Sequence, residues 1–230
     1  MKFPQWVVDR VVARQGRLHP FDRLAANKLA FVVVDMQNYF LLPEFAAAVA
    51  SAAATIPAIN KLCQAVRARG GLVVWVQTTS EKSDLHLPMH YGEAFTPERK
   101  RRRMEGLSPA SAGYALHRQL DVQAGDCRIE KICYSAMVQG SSKLNEVLHQ
   151  CGIETILVGG TATNVCCDST GRDAIMQNYR TLMVEDALSA FTPAEHEWAL
   201  HNWLLFFGDV LSVNEVIELL EPAGRDSRTA

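Results

Sequence analysis

The chain has 230 residues, 48% of them hydrophobic, and a formal net charge of −2, which is enough material for one sizeable core. That balance lacks the positive excess that phosphate backbones attract, so it argues against nucleic acid or an anionic membrane as the main partner and for a small molecule. Cysteines at 63, 127, 133, 151, 166 and 167 are scattered without a C-x-x-C pair, the usage of reduced thiols in a cytoplasmic protein.

Residues 1–28 read as an N-terminal arm. Residues 6–14 place apolar side chains on one helical stripe until Gly16 and Pro20 break it. No apolar run there matches a signal core, and none further on reaches the length of a membrane span. Residues 29–34 form a continuous apolar run ending in Asp35, the pattern of a parallel strand buried on both faces with an acid at its carboxyl end. An alanine-rich stretch over 45–69 predicts a long helix, kinked at Pro57 and stopped by Gly70-Gly71. Residues 72–76 give a second strand.

Between 78 and 113 the periodicity dissolves, and the segment carries the basic run Arg99-Lys-Arg-Arg-Arg103. A connection of that length reads as a lid, a binding loop or a surface against another subunit, and the basic run as either a greeting for an anionic substrate or a solvated face. A third strand over 127–131 ends in a cation, and 141–150 reads as a helix stopped by Gly152. The fourth strand, 153–158, runs into Gly159-Gly160 and then a helix over 165–177 with Cys166 in its first turn. Residues 180–184, 193–206 and 210–213 read as strand, amphipathic helix and sixth strand, and 222–230 as a polar tail. Alternating strands and helices predict one α/β domain over 1–230: a doubly wound, mainly parallel six-stranded sheet with helices on both faces.

Asp35, Lys131 and Cys166 all stand at strand ends, and parallel strands deliver their carboxyl ends to one edge. An acid, a cation and a thiol are the parts of an activated cysteine, and helix N-terminal N–H groups favour its thiolate. Cys166 and Cys167 are turned about 100° from each other around a helix, so only one of the two can face a pocket. The remaining alternative for the adjacent pair is a redox sensor without catalysis. His86 and His90 have the i, i+4 spacing of metal ligands but read as loop residues.

Val34-Asp35-Met36-Gln37-Asn38, Glu130-Lys131, and Gly160 through Cys166 with Arg172-Asp173-Ala174 together resemble the isochorismatase-like cysteine hydrolase family, over about residues 29–220. The resemblance implies that Cys166 is the nucleophile, Asp35 the proton shuttle and Lys131 the cation beside the sulfur. It also implies a cis peptide at Thr161–Ala162, an oxyanion hole from the N–H groups of Ala162 and Cys166, and a homo-oligomer, dimer or tetramer, with the arm and residues 198–207 as candidate contacts. Trp75-Val76-Gln77 and Tyr134-Ser135 are similar to the branch that cleaves ureidoacrylate, and Asn-Val-Cys recurs in the carbamoylsarcosine hydrolases. That implies a ureido or carbamoyl substrate, with Gln77, Tyr134 and Asn38 binding it. The alternatives are a nicotinamidase-like or other carboxamide hydrolase and an isochorismatase-type vinyl ether hydrolase. The metal-binding relatives carry an Asp and two His after the second strand; here Gln77 is followed by Thr-Thr-Ser-Glu-Lys82, so the expectation is no metal and no cofactor.

Overall fold

Residues 29–34 offer water nothing but hydrocarbon, and they become the middle of the sheet. In a computed structural model, which describes residues 2–81 and 88–221, helix α1 (Gln5–Gln15) and a short strand β1 (Leu24–Ala25) precede β2 (Leu29–Val34), whose six side chains are all buried. A short helix α2 (Asn38–Leu41), helix α3 (Ile56–Ala68) and β3 (Leu72–Thr78) follow. Next come α4 (Pro88–Glu93), α5 (Pro97–Gly106), β4 (Cys127–Lys131) and α6 (Leu144–Gln150). β5 (Thr155–Thr161) leads through a π-helical turn (Thr163–Cys167) into α7 (Asp168–Met176). The chain then forms β6 (Arg180–Ser189), α8 (Pro193–Phe206), β7 (Asp209–Leu211), α9 (Val213–Leu219) and β8 (Leu220–Glu221).

Six strands pair in the order β4-β3-β2-β5-β6-β7, every pair parallel. Alternate residues of β2 feed two separate cores. Ala30, Val32 and Val34 face Leu144, Leu148, Trp203 and Leu204 of α6 and α8, whereas Leu29, Phe31 and Val33 face Ile59, Leu62 and Val66 of α3. Each such side chain, fully buried, contributes about 1.5–3 kcal/mol. The layered α/β architecture is therefore the one the alternation predicts. The N-terminal arm packs on this body: Val7 and Val11 are buried, and Arg14 donates to the Leu204 and Leu205 carbonyls of α8. β1 pairs with β8, so the arm and the last described residues close on each other.

Several boundaries differ from the sequence reading. The alanine-rich stretch is not one kinked helix. Pro57 lies in the first turn of α3, where its missing N–H would have had no partner, and residues 52–55 form a short 3-10 turn instead. The segment 78–113 contains α4 and α5 rather than loop alone. Thr96 caps α5, and Arg101 and Arg102 pair with Glu105 and Glu98 at 2.8 and 2.7 Å one turn apart. The helix expected from 141 begins at Leu144, and the fifth strand runs on to Ser189. The polar tail at 222–230 and His86 lie outside the described residues. No helix among the described residues is long and apolar enough to cross a membrane.

One titratable pair fastens the arm. His19 Nδ1 lies 2.8 Å from Oδ1 of the buried Asp209 at the start of β7, and that hydrogen bond raises the histidine pKa from 6.5 against the opposing pull of burial. A raised folded-state pKa contributes stability that is complete below the unfolded value and lost as pH rises through the folded one. Urea unfolding of wild type and His19→Gln is expected to show wild type the more stable in mild acid, with the gap shrinking once the imidazole is neutral. A gap that does not change with pH would contradict this.

Candidate active site

The register of the sheet decides what meets at its carboxyl edge. Val34 sits opposite both Val76 and Gly160, and Thr78 opposite Lys131, so Asp35, Thr78, Lys131 and Thr161 reach one level. Gly160 is required there: its φ is +108°, and a Cβ would run into the Val34 carbonyl. Asp35 itself has φ +56° and donates its N–H to Val76 O at 2.9 Å. An aspartate tolerates that left-handed conformation better than most residues. Gln37 locks the turn. Its amide donates to the Thr78 and Tyr114 carbonyls and accepts from Thr78 N–H at 2.7 Å, extending the sheet beyond the end of β2.

Three of the predicted residues converge. Lys131 Nζ lies 2.9 Å from Asp35 Oδ2, both side chains essentially sealed from solvent at 1% and 0% exposure. Asp35 is also close enough to the Cys166 thiol for its charge to raise the thiol pKa. Cys166, 7% exposed as a residue, rides on the π-helical turn and lines a cavity of about 170 Å³. Ala162 lines the same cavity, next to the cis Thr161–Ala162 peptide. Val165 and Cys167 donate their N–H groups to the Ala162 carbonyl. Cys167 is fully buried, with its sulfur directed at the Gly159 carbonyl.

Thr78 is the member that sequence reasoning missed. Its hydroxyl accepts from Lys131 Nζ at 2.6 Å and donates to Asp35 Oδ1 at 2.7 Å. One hydroxyl thus fixes both charged groups, and Oδ2 is left as the carboxylate oxygen without a well-directed donor. Thr78→Val keeps the shape and removes both bonds, so activity on any substrate should fall by roughly ten- to a hundredfold in kcat, with KM little changed. A loss confined to KM would assign Thr78 to binding instead.

Burial pushes the Cys166 thiol up to about 12, with the Lys131 ammonium pulling against it and Asp35 adding to it. Burial thus opposes the pull toward the thiolate that N–H groups at a helix start exert. Burial alone would lower Lys131, but the carboxylate beside it holds its pKa above 10.5. A thiol, a carboxylate and an ammonium therefore lie side by side.

The predicted substrate contacts divide. Tyr134 lines the cavity, and its hydroxyl pairs with His90 Nε2 at 2.8 Å. His90 is a residue of α4 rather than of a loop. Gln77 does not line this cavity: it neighbours Thr78 on β3 and so points the other way, donating to the Tyr114 carbonyl at 3.0 Å. It faces a separate cavity of about 910 Å³ beside β4. Asn38 is also absent from the lining, since its amide donates to the Ala112 carbonyl at 2.8 Å and holds the start of α2. The remaining walls are Tyr39, Phe40, Phe95 and Phe191, with Arg99 and Arg103 of α5. Among the described residues no three His, Cys, Asp or Glu side chains gather as metal ligands.

A family profile described as the isochorismatase domain matches residues 29–215. The ureidoacrylate amidohydrolase RutB of Pseudomonas syringae pv. syringae (strain B728a) is 34% identical over 221 residues, covering 89% of each chain. Among solved structures, a cysteine hydrolase from Pseudomonas syringae pv. phaseolicola 1448A superposes with a TM-score of 0.74 at 29% identity, over 84% of this chain and 92% of that one. The N-carbamoylsarcosine amidase of Thermoplasma acidophilum gives 0.65 at 27%, over 86% and 99%.

Proposed function

This chain belongs to the isochorismatase family and is an amide-cleaving hydrolase, and from that premise we propose that it works through Cys166 as a covalent nucleophile on a small ureido or carbamoyl compound. The observation that carries the reading is the buried Asp35–Lys131 ion pair beside Cys166, each from a different strand end, with Cys166 itself lining a small cavity. Asp35 Oδ2 accepts the thiol proton as the sulfur attacks the carbonyl carbon. Lys131 keeps the carboxylate in place and balances the negative charge as it moves between oxygen and sulfur. The oxyanion is received by the N–H groups of Ala162 and Cys166, worth about 3 kcal/mol each in comparable sites. Asp35 passes the proton to the leaving nitrogen, the C–N bond breaks, and ammonia or an amine departs. Water then opens the thioester: Asp35 takes its proton, the hydroxyl joins the carbonyl carbon, and the proton returns to sulfur.

The names of the two relatives, one acting on ureidoacrylate and one on N-carbamoylsarcosine, support the ureido or carbamoyl assignment. A cavity of about 170 Å³ suits a small metabolite, below the usual range for drug-sized ligands. Tyr134, oriented by His90, is the hydroxyl placed to meet the planar head of the substrate. We extend the proposal to a single domain acting in the cytoplasm without metal or cofactor. We extend it also to a homo-oligomer whose contacts include α8, where Trp198 is 68% exposed.

Ammonia release measured over ureides, carbamoyl amino acids, nicotinamide and maleamate is expected to be greatest for a ureido or carbamoyl member. Preference for nicotinamide, or cleavage of isochorismate undiminished in Cys166→Ala, would replace this reading.

A further inference from the structure

We infer that Arg99 and Arg103 form a carboxylate-binding site on the wall of the Cys166 cavity, so that the substrate is a small amide carrying its own acid group. This deepens the proposed reaction and rests on Cys166 being the attacking atom. The basic run that looked uniform in sequence is divided by the helix it forms. Arg101 and Arg102 turn outward to Glu98 and Glu105. Arg99 and Arg103, four residues apart and so on one face of α5, both line the cavity. Among the described residues neither has a carboxylate partner.

Their placement is held by rings instead. Arg99 lies over Phe95 at 4.8 Å and Arg103 over Tyr91 at 5.0 Å, with Arg103 also donating to the Tyr91 hydroxyl at 3.2 Å. Stacking fixes the plane of a guanidinium and leaves its fork of N–H donors for a planar anion. Two like charges at this spacing repel, and the neighbouring walls are the hydrocarbon of Tyr39, Phe40, Ala47 and Phe191, which offer no counter-charge. Among the described residues, with Lys131 matched by Asp35, the two guanidinium groups on the cavity wall have no carboxylate counter-charge. A substrate carboxylate supplies one, and the field of Arg103 already reaches the sulfur, drawing the thiol pKa down against burial.

The test uses two alkylating reagents that differ by the group in question, iodoacetate and iodoacetamide. In both, the sulfur forms a bond to the methylene carbon, iodide leaves, and the thiol proton passes to Asp35. Exposed Cys151 serves as the reference within the same molecule. Peptide mapping is expected to show iodoacetate favoured at Cys166 by on the order of tenfold relative to its ratio at Cys151, the scale of one charge-assisted hydrogen bond. Arg103→Gln should erase most of that preference and Arg99→Gln part of it, while Arg103→Lys keeps the charge and much of the effect. In wild type alone, propionate should protect Cys166 from iodoacetamide while propionamide at the same concentration does not. Equal protection by the two, or the neutral reagent favoured at Cys166 as at Cys151, overturns the anion site. Labelling needs no turnover, so a preference for iodoacetate in a protein that released no ammonia from any amide would leave the anion site standing and remove the hydrolytic reading.

Discussion

Asp35→Asn is expected to lower amide hydrolysis by at least about a thousandfold and, in the same molecule, to cost about 3–5 kcal/mol of stability. The two losses have different origins. Hydrolysis fails because an asparagine amide has no oxygen basic enough to take the thiol proton or return it to the leaving nitrogen. Stability falls because Lys131 is left as a fully buried ammonium facing a neutral amide, with Thr78 and the Cys133 carbonyl as its remaining acceptors. The dependence on pH separates the effects. In wild type the lysine pKa lies above 10.5, so the lysine's part in the pair is not lost as pH rises through the neutral range. Without the carboxylate, burial depresses the lysine instead, and the variant should gain stability as pH rises from about 6 to about 10. Adding Lys131→Met to Asp35→Asn removes the stranded charge, so the double variant should recover much of the stability and none of the activity. Urea unfolding across that pH range checks both signs. A double variant no more stable than Asp35→Asn would mean that the ion pair is not what Asp35 contributes to the fold.

The second large effect concerns the sulfur. Cys166→Ala should lower kcat by at least about ten-thousandfold, the order seen when a covalent nucleophile is removed from a hydrolase, while melting remains near wild type because only one sulfur atom is lost, beside a cavity that already interrupts the packing. Cys166→Ser should be nearly as inactive. The pH profile of the wild-type enzyme distinguishes how the thiolate arises. With the thiol pKa near 12, a sulfur that titrated freely with solvent would give a rate climbing about tenfold for each pH unit between about 7 and 10. Proton transfer to Asp35 within the complex gives a flat profile over that range. The expected result is the flat one, and a steady climb would assign Asp35 a purely electrostatic part.

Much of this site was legible before any coordinates. Asp35, Lys131 and Cys166 each close a strand pattern, and a parallel sheet leaves such residues no choice of edge. The cis Thr161–Ala162 peptide followed from family resemblance rather than from local pattern, and the structure contains it. What escaped had physical causes. Thr78 stands in a Thr-Thr-Ser run in which composition gives no sign of which hydroxyl faces inward; the register against Lys131 decides it. Gln77 was misplaced for the same reason, one residue along a strand being the opposite face. Helix α5 is so charged that no apolar stripe marks it, because the face it turns inward meets a cavity rather than a core. Pro57 opens α3 rather than kinking a longer helix, and a proline within an alanine-rich run looks alike in sequence in either place. The burial that raises the Cys166 thiol pKa has no sign in the sequence, where only the helix start is visible.

The ammonium sits on the last rung of a strand held from one side only. β4 borders the sheet, tied along its length to β3 and ending at the Thr78–Lys131 pair. The carboxylate and the sulfur follow interior strands flanked on both sides. Where a sheet opens from its margin, the seam between β3 and β4 is the one that carries the cation, so amide hydrolysis is expected to fade on heating before global melting; loss of both at one temperature would show that the seam opens only with the whole molecule.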